Sequence, residues 1–286
     1  MVKELVLLVG PQGAGKSSLC QTEFAEYYRI SQDDQGKQGH KDVFVPCLSV
    51  GVNIVVDRIN HLKGQRKYYL DQAKAHGFKT RIIVLHVPKE VCHKRIEDRV
   101  GHPTLPAEKA GEALNMFFKQ YERPTEDEAD VVEHRYHDVS RMHAVCVDID
   151  GTLADVDHRL HFVRTEGRKN WKSFFDEMKN DGVNKWCVDI MKRFRKDHLI
   201  VLCSGRPDNY REMTEAWLKK HEIPYDFLFM RQRNDSRNDS IVKENILDFE
   251  LLPRFRINFV VDDRPSVCRT WRGRGLTVLQ CNDKEF

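Results

Sequence analysis

No run in these 286 residues approaches the ~18 consecutive apolar side chains that a membrane-spanning helix needs, so no membrane partner is expected. The first residues, MVKELVLLVG, are apolar only briefly and flow into a glycine loop without a small-residue cleavage site. They read as a strand and not as a signal peptide. Charge of one sign is also lacking. The formal net charge is +3, spread almost evenly along the chain, which is not the profile of a protein that wraps nucleic acid. A local groove for a few phosphates stays open. The eight cysteines include no C-x-x-C pair and no Cys/His ligand spacing, so buried reduced thiols in a cytoplasmic setting are expected. Internal repeats and low-complexity segments are missing as well.

What is present suits a globular chain long enough for two domains, with 40% hydrophobic and 32% charged residues. Short β-rich runs alternate with helical stretches, which predicts α/β units with parallel sheets. Early strands are expected at residues 5–9, 53–56 and 81–87, with helices at 65–76, 89–98 and 107–121. The acidic stretch ERPTEDEADVVEHRYHD, residues 122–138, has few large aliphatics and reads as the seam. Residues 1–138 and 139–286 are therefore expected to form separate domains. A second strand series follows at 144–147, 199–202, 227–229, 257–261 and 276–279. Amphipathic helices between its first two strands suggest a small helical cap over about residues 155–197.

Gly10 to Ser17, GPQGAGKS, satisfies G-x-x-x-x-G-K-[ST] between an apolar strand and a helix-like run. Gly10, Gly13 and Gly15 let backbone N–H groups turn inward around phosphate oxygens. Lys16 would reach the β/γ phosphates of a nucleotide such as ATP, and the Ser17 hydroxyl would ligate Mg2+, with Ser18 beside it. In ISQDD, Asp33 and Asp34 lie one helix and one short strand further on, where a carboxylate can act as general base. A helix cap or exposed turn is the bland alternative. Asp57 ends the apolar run NIVVD, where metal-linked water or substrate is held. Arg95 and Arg99 share one helical face and either close over phosphates or sit exposed.

The second constellation is VCVDIDGTLAD. Asp148 can attack phosphorus to give an aspartyl-phosphate, and Asp150 can protonate the leaving oxygen and then activate water. Mg2+ is needed to bring a carboxylate up to an anionic phosphate, so further acidic ligands are expected. Asp262 and Asp263 end the apolar run FVVDD; with Asp148 and Asp150 they form the expected metal set. VLCSGR offers Ser204 and Arg206, and NDSIVKE offers Lys243. Three of these four elements sit at apolar strand ends, where open α/β sheets build sites.

The quartet DIDGTLA, LCSGR, IVKE and VVDDR resembles the haloacid dehalogenase phosphohydrolase superfamily. The whole chain looks like the bacteriophage-type bifunctional polynucleotide 5′-kinase/3′-phosphatase family, through RQRNDSRNDSIVKE, VVDDRPSVCRTWRGRG and an arginine eleven residues after Asp148. The resemblance implies a P-loop NTPase-type parallel sheet followed by a haloacid dehalogenase-type Rossmannoid sheet. It implies transfer of the ATP γ-phosphate to 5′-hydroxyl ends of RNA or DNA, and removal of 3′-phosphate and 2′,3′-cyclic phosphate. Asp33 is then the general base and Arg99 the lid arginine. Arg159, Ser204, Arg206, Arg231, Asp239, Lys243, Asp262 and Asp263 surround phosphate and metal. A nucleic-acid ligase as functional partner and a homo-oligomer are further implications.

One position departs. The family carries an arginine three residues after its general base, to engage the phosphate beside the accepting hydroxyl; here that residue is Gly36, with Lys37 or Arg58 as substitutes. Two rival readings follow: a small-molecule kinase fused to a metabolite phosphatase, and an end-binding protein with an inactive kinase half.

Overall fold

The computed structural model describes residues 3–99, 105–137, 142–164, 167 and 169–283. The chain forms two compact units, divided between His137 and Asp138; the expected boundary at 138/139 lies outside the described residues.

The first unit runs β1 (Glu4–Val9), α1 (Lys16–Glu23), β2 (Tyr28–Ser31), α2 (Gln32–Gln35), α3 (Gly39–Val50), β3 (Ile54–Asp57), α4 (Lys63–Ala75), β4 (Lys79–His86), α5 (Lys89–Glu97), α6 (Ala110–Gln120) and β5 (Val131–Tyr136). Its five strands are parallel in the order β2-β3-β1-β4-β5. β1 lies in the centre with Leu5 to Val9 fully buried, since a parallel strand covered on both faces needs an unbroken apolar run. From β1 the chain crosses to the edge strand β2, returns to β3 beside β1, and then builds the other side through β4 and β5. The loop after β1 therefore opens into the crevice where the strand order reverses.

β5 lies inside the acidic stretch read as the seam, so part of that stretch is structured. It pairs with β4 from Arg81 to His86 as an edge strand, mostly half-exposed, and so does without the aliphatics of a central strand. Asp130 pins its entry by accepting from the Thr80 backbone N–H at 2.7 Å and the Thr80 hydroxyl at 2.9 Å.

The second unit runs β6 (Met142–Val147), β7 (Ala154–Asp155), α7 (Trp171–Asp176), β8 (Gly182–Val183), α8 (Lys185–Phe194), β9 (Leu199–Pro207), α9 (Arg211–Lys220), β10 (Phe227–Arg231), α10 (Asp239–Ile246), β11 (Phe255–Asp262), α11 (Pro265–Gly273) and β12 (Val278–Gln280). Five parallel strands take the order β10-β9-β6-β11-β12. Alternate residues of the central β6 feed two cores. Val145 and Val147 pack with Met191, Trp217 and Leu218 of α8 and α9. Ala144 and Cys146 pack with Leu247, Val267 and Trp271 on the other face.

α8 thus covers the sheet. The part of 155–197 that stands apart from the five-stranded sheet begins at the antiparallel pair β7–β8, which closes around α7. Among the described residues no helix is long and apolar enough to cross a membrane.

Candidate active sites

Lys16 opens α1 directly after the glycine loop and is 8% exposed. Its Nζ donates to the carbonyls of Gly10 at 2.9 Å and Pro11 at 2.7 Å. Burial lowers its pKa to about 8, against the opposing pull of Asp57. A cavity of about 280 Å³ opens in front of it. Gly13, Gly15, Lys16 and Ser17 line one part of this cavity, and Gln32, Asp33, Asp57, Arg58 and Arg99 are among the residues that line the remainder. Gly10 and Ser18 are not among its walls; Gly10 donates its N–H to Ile59 O, and Ser18 is exposed on α1.

The Asp33–Asp34 pair divides its work. α2 is capped at Ser31, whose hydroxyl accepts from the Asp34 N–H. Asp34 is drawn to Arg29 at 3.1 Å, while Asp33 faces the cavity. The same Arg29 grips Asp57 Oδ2 through Nε at 2.9 Å and Nη2 at 2.6 Å, fixing that carboxylate at the end of β3. The two arginines of α5 and its end also separate. Arg95 donates to Gly13 O at 3.3 Å and steadies the loop, whereas Arg99 lines the cavity.

In the second unit, the Asp148 N–H donates to Val261 O, which locks the start of the loop after β6 against β11. The chain then turns at Gly151, where φ is +88° and a Cβ would stand 2.2 Å from Asp263 Oδ2. Only glycine lets the backbone pass this close to a carboxylate. Oxygens of Asp148, Asp262 and Asp263, all buried, lie within 4.8 Å of one another. Lys243 of α10 sits among them, donating to Asp148 Oδ1 at 2.6 Å and Asp262 Oδ2 at 2.9 Å. Trp271 Nε1 donates to the same Asp262 oxygen at 3.1 Å.

Burial pushes Asp148 well above the carboxylate range, Lys243 opposing and the other aspartates adding to it. Burial and then Asp262 push Asp263 up to about 7. Lys243 is raised despite its own burial, because Asp148 and Asp262 outweigh it. Three buried carboxylates facing one ammonium are short of positive charge. The donor set is all hard oxygen. Both features fit a divalent cation such as Mg2+.

The Asp150 side chain stands outside that cluster. Arg159 Nη2 reaches its Oδ1 at 2.5 Å and Arg206 Nη2 at 2.6 Å, so its carboxylate is turned toward two guanidiniums. Burial works against its ionisation, but Arg206 and Arg159 win and hold it below the usual range. The second carboxylate of this group, Asp181, accepts from Arg159 Nε and Nη2 at 2.6 Å each and from Arg206 Nη2 at 3.0 Å. Nothing in NDGVNKW marks Asp181 as more than a turn residue.

Ser204 is fully buried and its Oγ accepts from the Arg206 N–H. Arg231 holds the loop around it, donating to Gly205 O at 2.8 Å and to Asp239 Oδ1 at 3.0 Å. Asp239 lies 3.7 Å from the Lys243 ammonium. A cavity of about 750 Å³ leads to Asp148, Asp150 and Lys243. One wall is aromatic: Trp171 stacks on Phe175 at 6.0 Å, Phe175 meets Tyr210 at 5.2 Å, and the Lys169 ammonium lies 5.5 Å from the Trp171 ring.

Residues 142–286, just over half of the chain, match the family model described as the polynucleotide kinase PNKP phosphatase domain. Residues 35–124 match the model of an AAA domain. The chain is 24% identical over 305 aligned residues to a putative bifunctional polynucleotide kinase/RNA ligase of Autographa californica nuclear polyhedrosis virus, covering 94% of this chain and 41% of that protein. It is 31% identical over 135 residues to the transcription factor bHLH140 of Arabidopsis thaliana, covering 43% of this chain and 15% of that one. The chain thus spans less than half the length of either curated relative. A solved structure of a Pnkp1/Rnl/Hen1 RNA repair complex aligns with 23% identity and a TM-score of 0.44, covering 100% of this chain and 97% of that one.

Proposed function

Because the chain belongs to the family of polynucleotide kinase PNKP phosphatase domains, we propose that it heals nucleic-acid ends with two sites. The second, in residues 139–286, removes a 3′-phosphate or a 2′,3′-cyclic phosphate. The first, in residues 1–138, moves the γ-phosphate of ATP to a 5′-hydroxyl. One observation carries the reading: a buried three-carboxylate cluster bridged by Lys243 lies beside a fourth carboxylate clamped by Arg159 and Arg206.

Asp148, Asp262 and Asp263 would hold Mg2+ in this site, where it would supply the charge that lets one anion approach another. Asp148 attacks phosphorus, the bond to the 3′ oxygen breaks, and Asp150 gives that oxygen its proton. Asp150 then takes a proton from the water that opens the aspartyl-phosphate. A carboxyl held below its usual range is a poor proton donor. A substrate phosphate beside Asp150, however, adds negative charge that raises its affinity for a proton against the pull of Arg159 and Arg206. Ser204 supplies a hydroxyl to a phosphate oxygen, and the Arg231–Asp239 pair keeps Lys243 on the nucleophile.

In the first site Lys16 and Ser17 take the nucleotide phosphates and their Mg2+, Asp33 accepts the proton of the attacking hydroxyl, and Arg99 closes over the transferring group. The aromatic wall of the larger cavity suits stacking of a single-stranded end, which a small metabolite would not need. Ends bearing a 5′-phosphate and a 3′-hydroxyl are what a ligase joins, so a ligase is the natural consumer of the product. The cytoplasm suits a chain with eight free thiols.

The test is one oligonucleotide with a 5′-hydroxyl and a 3′-phosphate, incubated with Mg2+ and γ-labelled ATP. Lys16→Ala is expected to lose 5′ labelling alone, and Asp148→Asn to lose 3′ removal alone, each by at least ~10³-fold. A wild type that removes the 3′-phosphate and labels no 5′ end would sink the kinase half.

A further inference from the structure

We propose that Arg58 is the acceptor-side anion grip of the first cavity: it holds the phosphate on the 3′ oxygen of the nucleoside whose 5′-hydroxyl accepts. This deepens, and rests on, the kinase reading above. Arg58 follows the last residue of β3 and lines the cavity together with Asp33 and Lys16. It is half-buried. Its partners differ from those of three other arginines of this unit. Arg29, Arg66 and Arg81 each meet a carboxylate, at 2.6 to 2.7 Å. Arg58 instead donates to neutral oxygens, with Nε and Nη2 on Gln32 Oε1 at 3.1 and 2.7 Å and Nη1 on the Tyr69 hydroxyl at 3.1 Å. Among the described residues no carboxylate is bonded to it. A guanidinium carries five N–H groups. Three are spent on these oxygens, which leaves about two for an anion.

Orientation is fixed in the same way. The Tyr69 oxygen accepts from Arg58 and shares a second hydrogen bond with His40 Nδ1, 2.8 Å away; Tyr69 and His40 are each 1% exposed. Gln32 immediately precedes Asp33 in α2, so the residue that aims Arg58 and the proposed base are one backbone unit. Lys37, the other substitute for the missing arginine, is exposed and is not among the cavity walls. A nucleoside within a polynucleotide differs from a free nucleoside in bearing a phosphate at its 3′ oxygen. A positioned guanidinium on the acceptor side reads that difference.

The probes are adenosine 3′-monophosphate and adenosine, as acceptors of labelled phosphate from ATP. Arg58→Ala is expected to lower the ratio of their kcat/KM values by about 30-fold, and to weaken adenosine 3′-monophosphate binding, measured without ATP by equilibrium dialysis, by a similar factor. Arg58→Lys, which keeps the charge and spares the fold, is expected to lower both by about 5-fold, since it loses the two-pronged geometry. Lys37→Ala is expected to leave both unchanged. An intact ratio and intact binding in Arg58→Ala, or a collapse in Lys37→Ala, would overturn the assignment. A wild type that phosphorylates neither these acceptors nor an oligonucleotide would overturn the kinase reading itself, and this inference with it.

Discussion

Lys16 is an ammonium ion enclosed by the loop it serves, its hydrogen bonds going to two carbonyl oxygens. With a folded pKa lowered to about 8, against an ordinary value of 10.5, it gives up its proton within the working range of pH. The sign follows from linkage. Between pH 8 and 10.5 the unfolded chain binds more protons at this group, so its contribution to stability rises with pH across that window. Phosphate binding runs the other way, because a polyanion favours the charged form. Nucleotide affinity is therefore expected to fall as pH rises above about 8, by up to ~10-fold per pH unit, with proton uptake on binding. Calorimetric titration at pH 8.5, in two buffers of different ionisation heat, would read the uptake directly; equal heats would contradict it. Lys16 and Asp148 were legible because each sits in a dense local motif. Arg29 and Asp181 were not. Their partners, Asp57 and Arg159, are 28 and 22 residues away, and only the folded sheets bring them together.

α2 shows how one short element settles an apparent gap in the motif. This four-residue helix ends at Gly36, with φ +78° and ψ 174°, and no atom lies within 4 Å of where a Cβ would be. Space would admit a side chain; the backbone would not, since that region is nearly exclusive to glycine. An arginine at position 36 would strain the turn that sets Asp33, so the cation has to come from elsewhere. Gly36→Ala is expected to cost about 1–2 kcal/mol of stability and to lower 5′ transfer more than 3′ removal. Thermal unfolding and the two-ended oligonucleotide assay would check it; an unchanged midpoint would count against the backbone explanation. Other elements were plain from their apolar runs, as β1 and β11 were. β5 was hidden, because an edge strand of VVEHRY alternates charge with valine and histidine as a surface loop does.

Each of the two units carries cores of its own, including one around β1 and α5 in the first and those on both faces of β6 in the second. Residues 138–286 expressed alone are therefore expected to keep 3′-phosphatase kcat/KM within about 3-fold of the whole chain, as befits a domain with its own core. Loss of that activity despite a folded circular dichroism spectrum would show that the units share more than a chain. Both sheets begin with the strand that ends up in the middle, and this dictates the order in which a growing polypeptide becomes competent. The described walls of the smaller cavity have all been synthesised once Leu105 is joined. Asp148 must wait for Asp262 and Asp263, which are made more than ~100 residues later. A nascent chain thus acquires the means to bind a nucleotide well before the means to cleave a phosphate ester.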